Sequence, residues 1–341
     1  MKALVYLGPR RMELQDAPDP EPREGEVVIG TRASAICGSD LHGFREASPR
    51  RIPPLVMGHE TIGMIDGVGP GVGEGRLGER VVLKPILPCG RCPSCLEGRT
   101  NICENVRLVG RDLPGGFAER FVVPTEAAVP IPDALADEVG TLIEPTANAV
   151  HVTSRSIRDG DRVVVLGAGP IGALIARLAV LAGASAVLSI DPVGVRRAFA
   201  RAQGATSVDP EAAEAAVSEL TAGRGADVVI DAVGLPATMA SALRSVRAGG
   251  RVEVVGLGAP SGDVDIFAII GKEIGLTGSF AWTDAEFDRA IELVSSGAID
   301  PTGWISTMPL ADGQRAFEEL VDGADRFKIV LTSPEDVVPA S

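Results

Sequence analysis

The segment that most constrains this chain is RVVVLGAGPIGALIARLAVLAGASAVLSID, residues 162–191. A β-branched run, Val163-Val164-Val165-Leu166, leads into Gly167-Ala168-Gly169-Pro170-Ile171-Gly172. An Ala/Leu-rich helical stretch follows, then a second apolar run ending at Asp191. Strand, glycine turn, helix, strand and terminal acid in this order make a dinucleotide-binding fingerprint out of an otherwise weak G-x-G-x-x-G match. Gly167 permits the sharp turn, Gly169 leaves bare backbone for a pyrophosphate, and Gly172 lets helix and strand pack closely. The pyrophosphate is expected on the unpaired N–H groups at the positive end of the helix, where Pro170 and Ile171 begin it. Asp191 follows Gly172 by about the twenty residues that place a carboxylate on the ribose hydroxyls. A 2′-phosphate would be repelled there, which favours NAD over NADP. Arg196 and Arg197 qualify this, since either could accommodate a phosphate if Asp191 turned away.

At 341 residues the chain exceeds one typical core, so two or so domains are expected. The net charge of −14 argues against a nucleic-acid partner or an anionic membrane, both of which would repel it. No segment reads as a signal peptide or membrane span, because the longest apolar region, residues 173–190, contains Arg177 and a break at Gly183. The default expectation is the cytoplasm.

From residue 2 to about 130, short apolar runs such as Val27-Val28-Ile29 and Phe121-Val122-Val123 alternate with Gly and Pro, which reads as antiparallel β with loops. Two constellations lie inside this region. Cys89, Cys92, Cys95 and Cys103 are too close together for a spread disulfide framework. Their spacing suits one tetrahedral zinc with no open position, hence a structural site. The second is Cys37-Gly38-Ser39-Asp40-Leu41-His42, followed by Gly58-His59-Glu60. A thiolate, an imidazole and a carboxylate suit a zinc site that keeps a position open. Beyond residue 151 the pattern changes to alternating strands and helices: helices at 193–203, 211–221 and 236–247, and strands at 227–234, 251–256 and 274–278. Six strands with intervening helices make a doubly wound α/β domain. The tail carries helices at 284–295 and 312–321 and a last strand at 328–331.

The run Gly58-His59-Glu60-x-x-Gly63-x₅-Gly69-x-x-Val72, together with both cysteine motifs and the glycine turn in the same order, resembles the medium-chain, zinc-dependent alcohol and polyol dehydrogenase family. The resemblance spans nearly the whole chain. It implies a GroES-like, mostly-β catalytic domain, residues 1–149 plus 283–341, with a Rossmann domain at 150–282 inserted into it. It implies two zinc ions per subunit and a homodimer or homotetramer. Glu144, read alone, is an exposed carboxylate that Pro145 pushes out of helical geometry. By resemblance to the sorbitol and threonine dehydrogenase branches it faces the catalytic zinc. The expected resting ligands are Cys37, His59 and Glu60, with Glu144 a fourth or outer ligand; an exchange between the two glutamates stays open.

By the same resemblance Ser39 takes the alcohol proton and passes it through the nicotinamide ribose to His42, and Asp40 orients His59. Lys328 matches a position where a basic residue meets the cofactor pyrophosphate, although alone it reads equally as a solvated lysine opening a strand. His151 has no motif around it. The implied reaction is reversible transfer of hydride from a secondary alcohol or polyol to NAD, giving a ketone, with zinc lowering the pKa of the alcohol. Other readings are a metal-free enone or quinone reductase of the same superfamily and a noncatalytic cofactor-binding relative. The zinc motifs speak against the first, and the intact set Cys37, Ser39, His42, His59, Glu60 and Glu144 against the second.

Overall fold

The structure is a computed structural model that describes residues 1–323 and 326–333. It divides into two units, Met1–Glu144 with the chain from Thr283 onward, and Pro145–Trp282.

The first unit is built on strand Glu26–Ala35, whose alternating and continuous apolar positions are buried along most of its length. Along one edge it pairs antiparallel with Glu60–Val68, and along the other, over its first half, with Arg120–Pro124. Farther along that second edge it pairs antiparallel with the tail strand Lys328–Thr332, which runs parallel to Ile305–Pro309. The two tail strands therefore extend one end of the sheet formed by the first residues. A smaller sheet, Arg11–Asp16, Lys2–Gly8 and Leu55–Val56, lies against the tail helix Gly313–Val321 through a core containing Leu4, Tyr6, Phe44, Met57, Phe117 and Phe317. Phe317 sits with its ring centroid 5.1 Å from that of Phe44 and 5.8 Å, edge-on, from that of Phe117. That core fixes the short helix Gly38–Arg45, and the buried Tyr6 hydroxyl donates to Gly43 O at 2.6 Å.

The second unit carries six parallel strands in the order Thr206–Val208, Ala186–Ile190, Arg162–Leu166, Ala226–Asp231, Val246–Val254, Gly275–Gly278. Numbered along the chain this is 3-2-1-4-5-6, the dinucleotide-binding topology. Residues 163–166 are buried throughout, as expected of a strand covered on both faces. Three local readings differ from expectation. The helix Pro236–Ser245 ends early and the next strand starts at Val246, which pairs with Ala226; the register then shifts, and pairing resumes between Val228 and Arg251. A helix, Ile266–Lys272, stands where the sequence showed no pattern. Glu144 and Pro145 lie inside the first turn of helix Ile143–Ser156, and Glu144 is buried. Proline is tolerated there because the first four N–H groups of a helix have no partner within it.

Truncating Phe317 to Ala removes the ring that joins the tail helix to two segments of the early chain. The expected loss is about 3–5 kcal/mol of unfolding free energy, measurable by urea denaturation; a loss under about 1 kcal/mol would show that the tail is held mainly by its strand.

Candidate active site and metal centres

Backbone register brings the two halves of the first constellation together. Ala35 pairs with Glu60 and Ser34 with Thr61, so continuing the register sets Ile36 and Cys37 beside His59 and Gly58. Val330 pairs with Ala35 on the opposite edge, and Ile36 N donates to Ile329 O at 2.9 Å, which sets Lys328 beside the same bend. Donor atoms of Cys37, His59 and Glu60 lie within 4.8 Å of one another, with both His59 and Glu60 buried. Cys37 caps helix Gly38–Arg45, and its N–H donates to Asp40 Oδ2 at 3.3 Å. Asp40 Oδ1 faces His59 Nδ1 at 3.6 Å, which leaves Nε2 of that ring for the cluster.

The charge balance of the cluster fits a cation. Burial alone would lower the His59 pKa, but Asp40, Cys37 and Glu144 outweigh it and push it up to about 10. The same negative field that favours a proton on His59 favours a divalent cation among these donors. A thiolate, an imidazole and a carboxylate are a zinc donor set that leaves a fourth position for another ligand. Glu144 stands outside the group of three, yet its charge reaches both His59 and Lys328.

Lys328 is not the solvated lysine that its local sequence also allows. It is 2% exposed, with Nζ 2.5 Å from Glu60 Oε2 and 3.4 Å from Ile36 O. Burial would lower its pKa, but Glu60 and Cys37 raise it, so it remains a buried cation. The reason is register: the strand places this position against Glu60, which no local pattern reveals.

The second cysteine group bulges between the paired strands Ile86–Leu87 and Arg107–Leu108. All four cysteines are free thiols whose sulfurs lie within 4.8 Å of one another. The Cys92 and Cys103 sulfurs are 3.9 Å apart, close to the roughly 3.8 Å expected between two thiolates at 2.3 Å from a tetrahedral zinc. Cys103 Sγ accepts from Cys89 N at 3.2 Å and Asn105 N at 3.3 Å. Backbone N–H groups of Arg91 and Cys92 pull the Cys89 thiol down to about 6, while burial and neighbouring sulfurs push Cys95 up to about 12. Four sulfurs this crowded resist ionising together unless a cation sits among them.

In the second unit, Gly167 has φ +90°, and a Cβ there would meet Val233 Cγ2 at 2.5 Å; at Gly172 it would meet Gly167 O at 1.9 Å. A Cβ at Gly169 would meet nothing within 4 Å. That open side precedes helix Pro170–Leu181, which has Pro170 at its first position and Ile171 and Gly172 next, so an anion fits there. Asp191 Oδ2 accepts from Ala168 N and Oδ1 from Val193 N, both at 2.8 Å, holding the carboxylate against the turn. Arg197 Nη1 donates to Asp191 O and Pro192 O, each at 2.8 Å, whereas the partly exposed Arg196 comes within 3.9 Å of the Asp191 carboxylate. Ser39 and His42 share helix Gly38–Arg45, with His42 exposed. His151 is buried with Arg155 Nη1 3.3 Å from its Nε2, in the second unit. One residue absent from the sequence reading is also in the first cluster: Arg51, buried and 3.2 Å from Asp40 Oδ1. In the sequence it is half of an Arg-Arg pair in a polar loop, which reads as solvated.

Residues 23–133 match the alcohol dehydrogenase GroES-like domain and residues 170–296 the zinc-binding dehydrogenase domain. The 2-dehydro-3-deoxy-L-galactonate 5-dehydrogenase of Pseudoalteromonas atlantica is 35% identical, over 97% of this chain and 98% of that one. D-xylulose reductase A of Aspergillus niger is 32% identical over 94% of each. Among solved structures, an E. coli alcohol dehydrogenase with bound NADH superposes with a TM-score of 0.90 at 31% identity, covering 97% of this chain and 99% of the other. A zinc-binding dehydrogenase from Sinorhizobium meliloti bound to NADP gives 0.90 at 33%, covering 97% and 98%. The chain belongs to the medium-chain zinc-dependent alcohol and polyol dehydrogenases. It is an oxidoreductase that interconverts an alcohol and a ketone with a nicotinamide cofactor.

Replacing Lys328 by Met leaves Glu60 buried without its counter-charge. In zinc-stripped protein the expected destabilisation is about 3–5 kcal/mol, and zinc should restore part of it by neutralising the carboxylate. Equal unfolding midpoints for the variant and the parent would show that the pair carries no stability.

Proposed function

We propose that the protein reversibly oxidises a secondary alcohol carbon of a polyol or sugar acid to the ketone, with NAD as the hydride acceptor and two zinc ions per chain. The observation that carries this reading is the group of half-buried Cys37 with buried His59 and Glu60, set beside a helix that bears Ser39 and His42. Zinc among these donors supplies the Lewis acidity that lowers the pKa of an alcohol, and the nicotinamide supplies the hydride acceptor. The chain's own residues handle the proton. Ser39 Oγ takes it from the alcohol, and His42 ends the relay at the surface. Desolvation, then Arg45, holds the His42 pKa below the ordinary histidine value, with Arg51 adding to this and Glu46 opposing it, so the ring is neutral and able to accept near pH 7. Asp40 orients His59, Lys328 balances Glu60, and Glu144 is the fourth or outer ligand. The four-cysteine group holds the structural zinc.

Polyol and sugar-acid substrates are favoured because the relatives named above act on such compounds. NAD is favoured because Asp191 keeps its carboxylate on the glycine turn, and Arg197 is engaged with backbone carbonyls. A reducing compartment such as the cytoplasm suits thiols grouped as metal ligands. No helix among the described residues is long and apolar enough to cross a membrane.

Self-association is supported by the last strand of the six-stranded sheet, Gly275–Gly278, exposed along its length. Near it in sequence, helix Ile266–Lys272 exposes Ile266, Phe267 and Ile270, an apolar surface of the kind oligomers cover.

NADH formation over a panel of polyols, secondary alcohols, sugar acids and hydroxy amino acids tests the activity. It should disappear on chelation and return with zinc; full activity of metal-free protein would sink the mechanism. Asp191→Ala should narrow the NAD-over-NADP preference by about tenfold or more, the scale of 1.4 kcal/mol, and unchanged selectivity would remove its ribose role. Phe267→Glu with Ile270→Glu should convert the oligomer to monomer in light scattering, whereas an unchanged mass would place the interface elsewhere.

A further inference from the structure

We infer that Arg51 is a positioning residue for proton transfer at Ser39; this rests on the relay reading given above. Arg51 follows the helix Gly38–Arg45 in a loop, its N–H donating to Ser48 O at 3.2 Å. Its side chain is 4% exposed and folds back over the helix. A Cβ at Gly43 would stand 2.7 Å from Arg51 Cγ and 2.8 Å from its Cβ, so the arginine stem lies directly on helix backbone that only glycine leaves open. At the far end Nη2 donates to Ser39 Oγ at 3.1 Å and to Asp40 Oδ1 at 3.2 Å. Nη1 reaches Arg50 O at 3.3 Å, and Nε has no hydrogen-bond partner among the described residues. Burying a guanidinium with one N–H unsatisfied is unfavourable, which makes a purely space-filling arginine a poor account of the position.

The chemistry follows from what each group can do. A guanidinium only donates, so Ser39 Oγ must accept from it. A hydroxyl offers two lone pairs and one hydrogen. Arg51 fills one lone pair and turns the hydrogen away from itself. One lone pair and one O–H remain, and these are the two functions of a relay. An O–H bond forms to Ser39 as the alcohol proton arrives, Ser39's original O–H bond breaks as its hydrogen moves on toward His42, and the serine ends unchanged. The alcohol's C–H electron pair leaves as hydride to the nicotinamide. The same Arg51 Nη2 also donates to Asp40 Oδ1, which ties the guanidinium in place beside Ser39. Without Arg51 the hydroxyl is free to spend its hydrogen on a local acceptor, as serines near helix starts commonly do.

The test is a double-mutant cycle of Arg51→Lys and Arg51→Gln with Ser39→Ala, reading kcat, KM, zinc per chain and the thermal midpoint. Both bonds come from the one nitrogen Nη2; lysine keeps the cation, but its stem ends one atom short of that position, so it reports on Ser39 even if the glutamine variant folds poorly. Each arginine variant should lower kcat by about 10- to 100-fold, the worth of a hydrogen bond from a charged donor, with KM and zinc content near the parent. In the Ser39→Ala background the same arginine change should alter kcat by less than about threefold. Multiplicative losses in the double variants would overturn the inference while leaving the relay intact. So would loss of zinc in Arg51→Lys, since Arg51 would then act through Asp40 and His59. A fully active Ser39→Ala would sink the relay and, with it, this role for Arg51.

Discussion

The ion pair between Glu60 and Lys328 is the point on which fold and chemistry both depend. It joins the first residue of strand Glu60–Val68 to the first residue of the tail strand Lys328–Thr332, with both side chains almost wholly buried. Two charges removed from water are tolerable only if they neutralise each other. The pair therefore requires the tail to be in place before the cluster around Cys37 can hold its charges. Strand pairing supplies that placement: Lys328–Thr332 adds to the edge of Glu26–Ala35 opposite the one used by Glu60–Val68.

Around this pair the first unit gathers negative groups. Cys37, Glu60, Asp40 and Glu144 converge with Lys328, Arg51 and the His59 ring. Such a pocket is a device for holding a cation, and its acidic excess is local rather than a reflection of the net charge of −14. Arg51 and Lys328 divide the balance between them. Lys328 faces Glu60, one of the grouped donors, and Arg51 faces the helix that carries Ser39 and the proposed relay.

Much of this was legible in the sequence because it rests on local rules. Glycines at 167, 169 and 172 followed by an acid at 191 require one strand–turn–helix geometry, and the structure shows it with the 3-2-1-4-5-6 sheet around it. Four cysteines within fifteen residues can reach one another whatever the rest of the chain does. Glu144 was harder: the clash before a proline is a local preference, and the first turn of a helix, which needs no proline N–H, overrode it. Strand Val246–Val254 likewise begins before the expected residue 251, because Ala226 pairs with Val246 ahead of a register shift and Val228 then pairs with Arg251.

The sequence by itself determined the cofactor turn, the two groups of metal donors and the alternation that makes a doubly wound sheet. Each of these is set by residue type and short-range spacing. Tertiary structure alone decided that Lys328 serves Glu60 and that Arg51 lies over Gly43 with its guanidinium between Ser39 and Asp40. Both are long, charged side chains whose partners lie elsewhere in the chain. A flexible cation looks solvated until strand register and a glycine on the facing helix show what it is buried against.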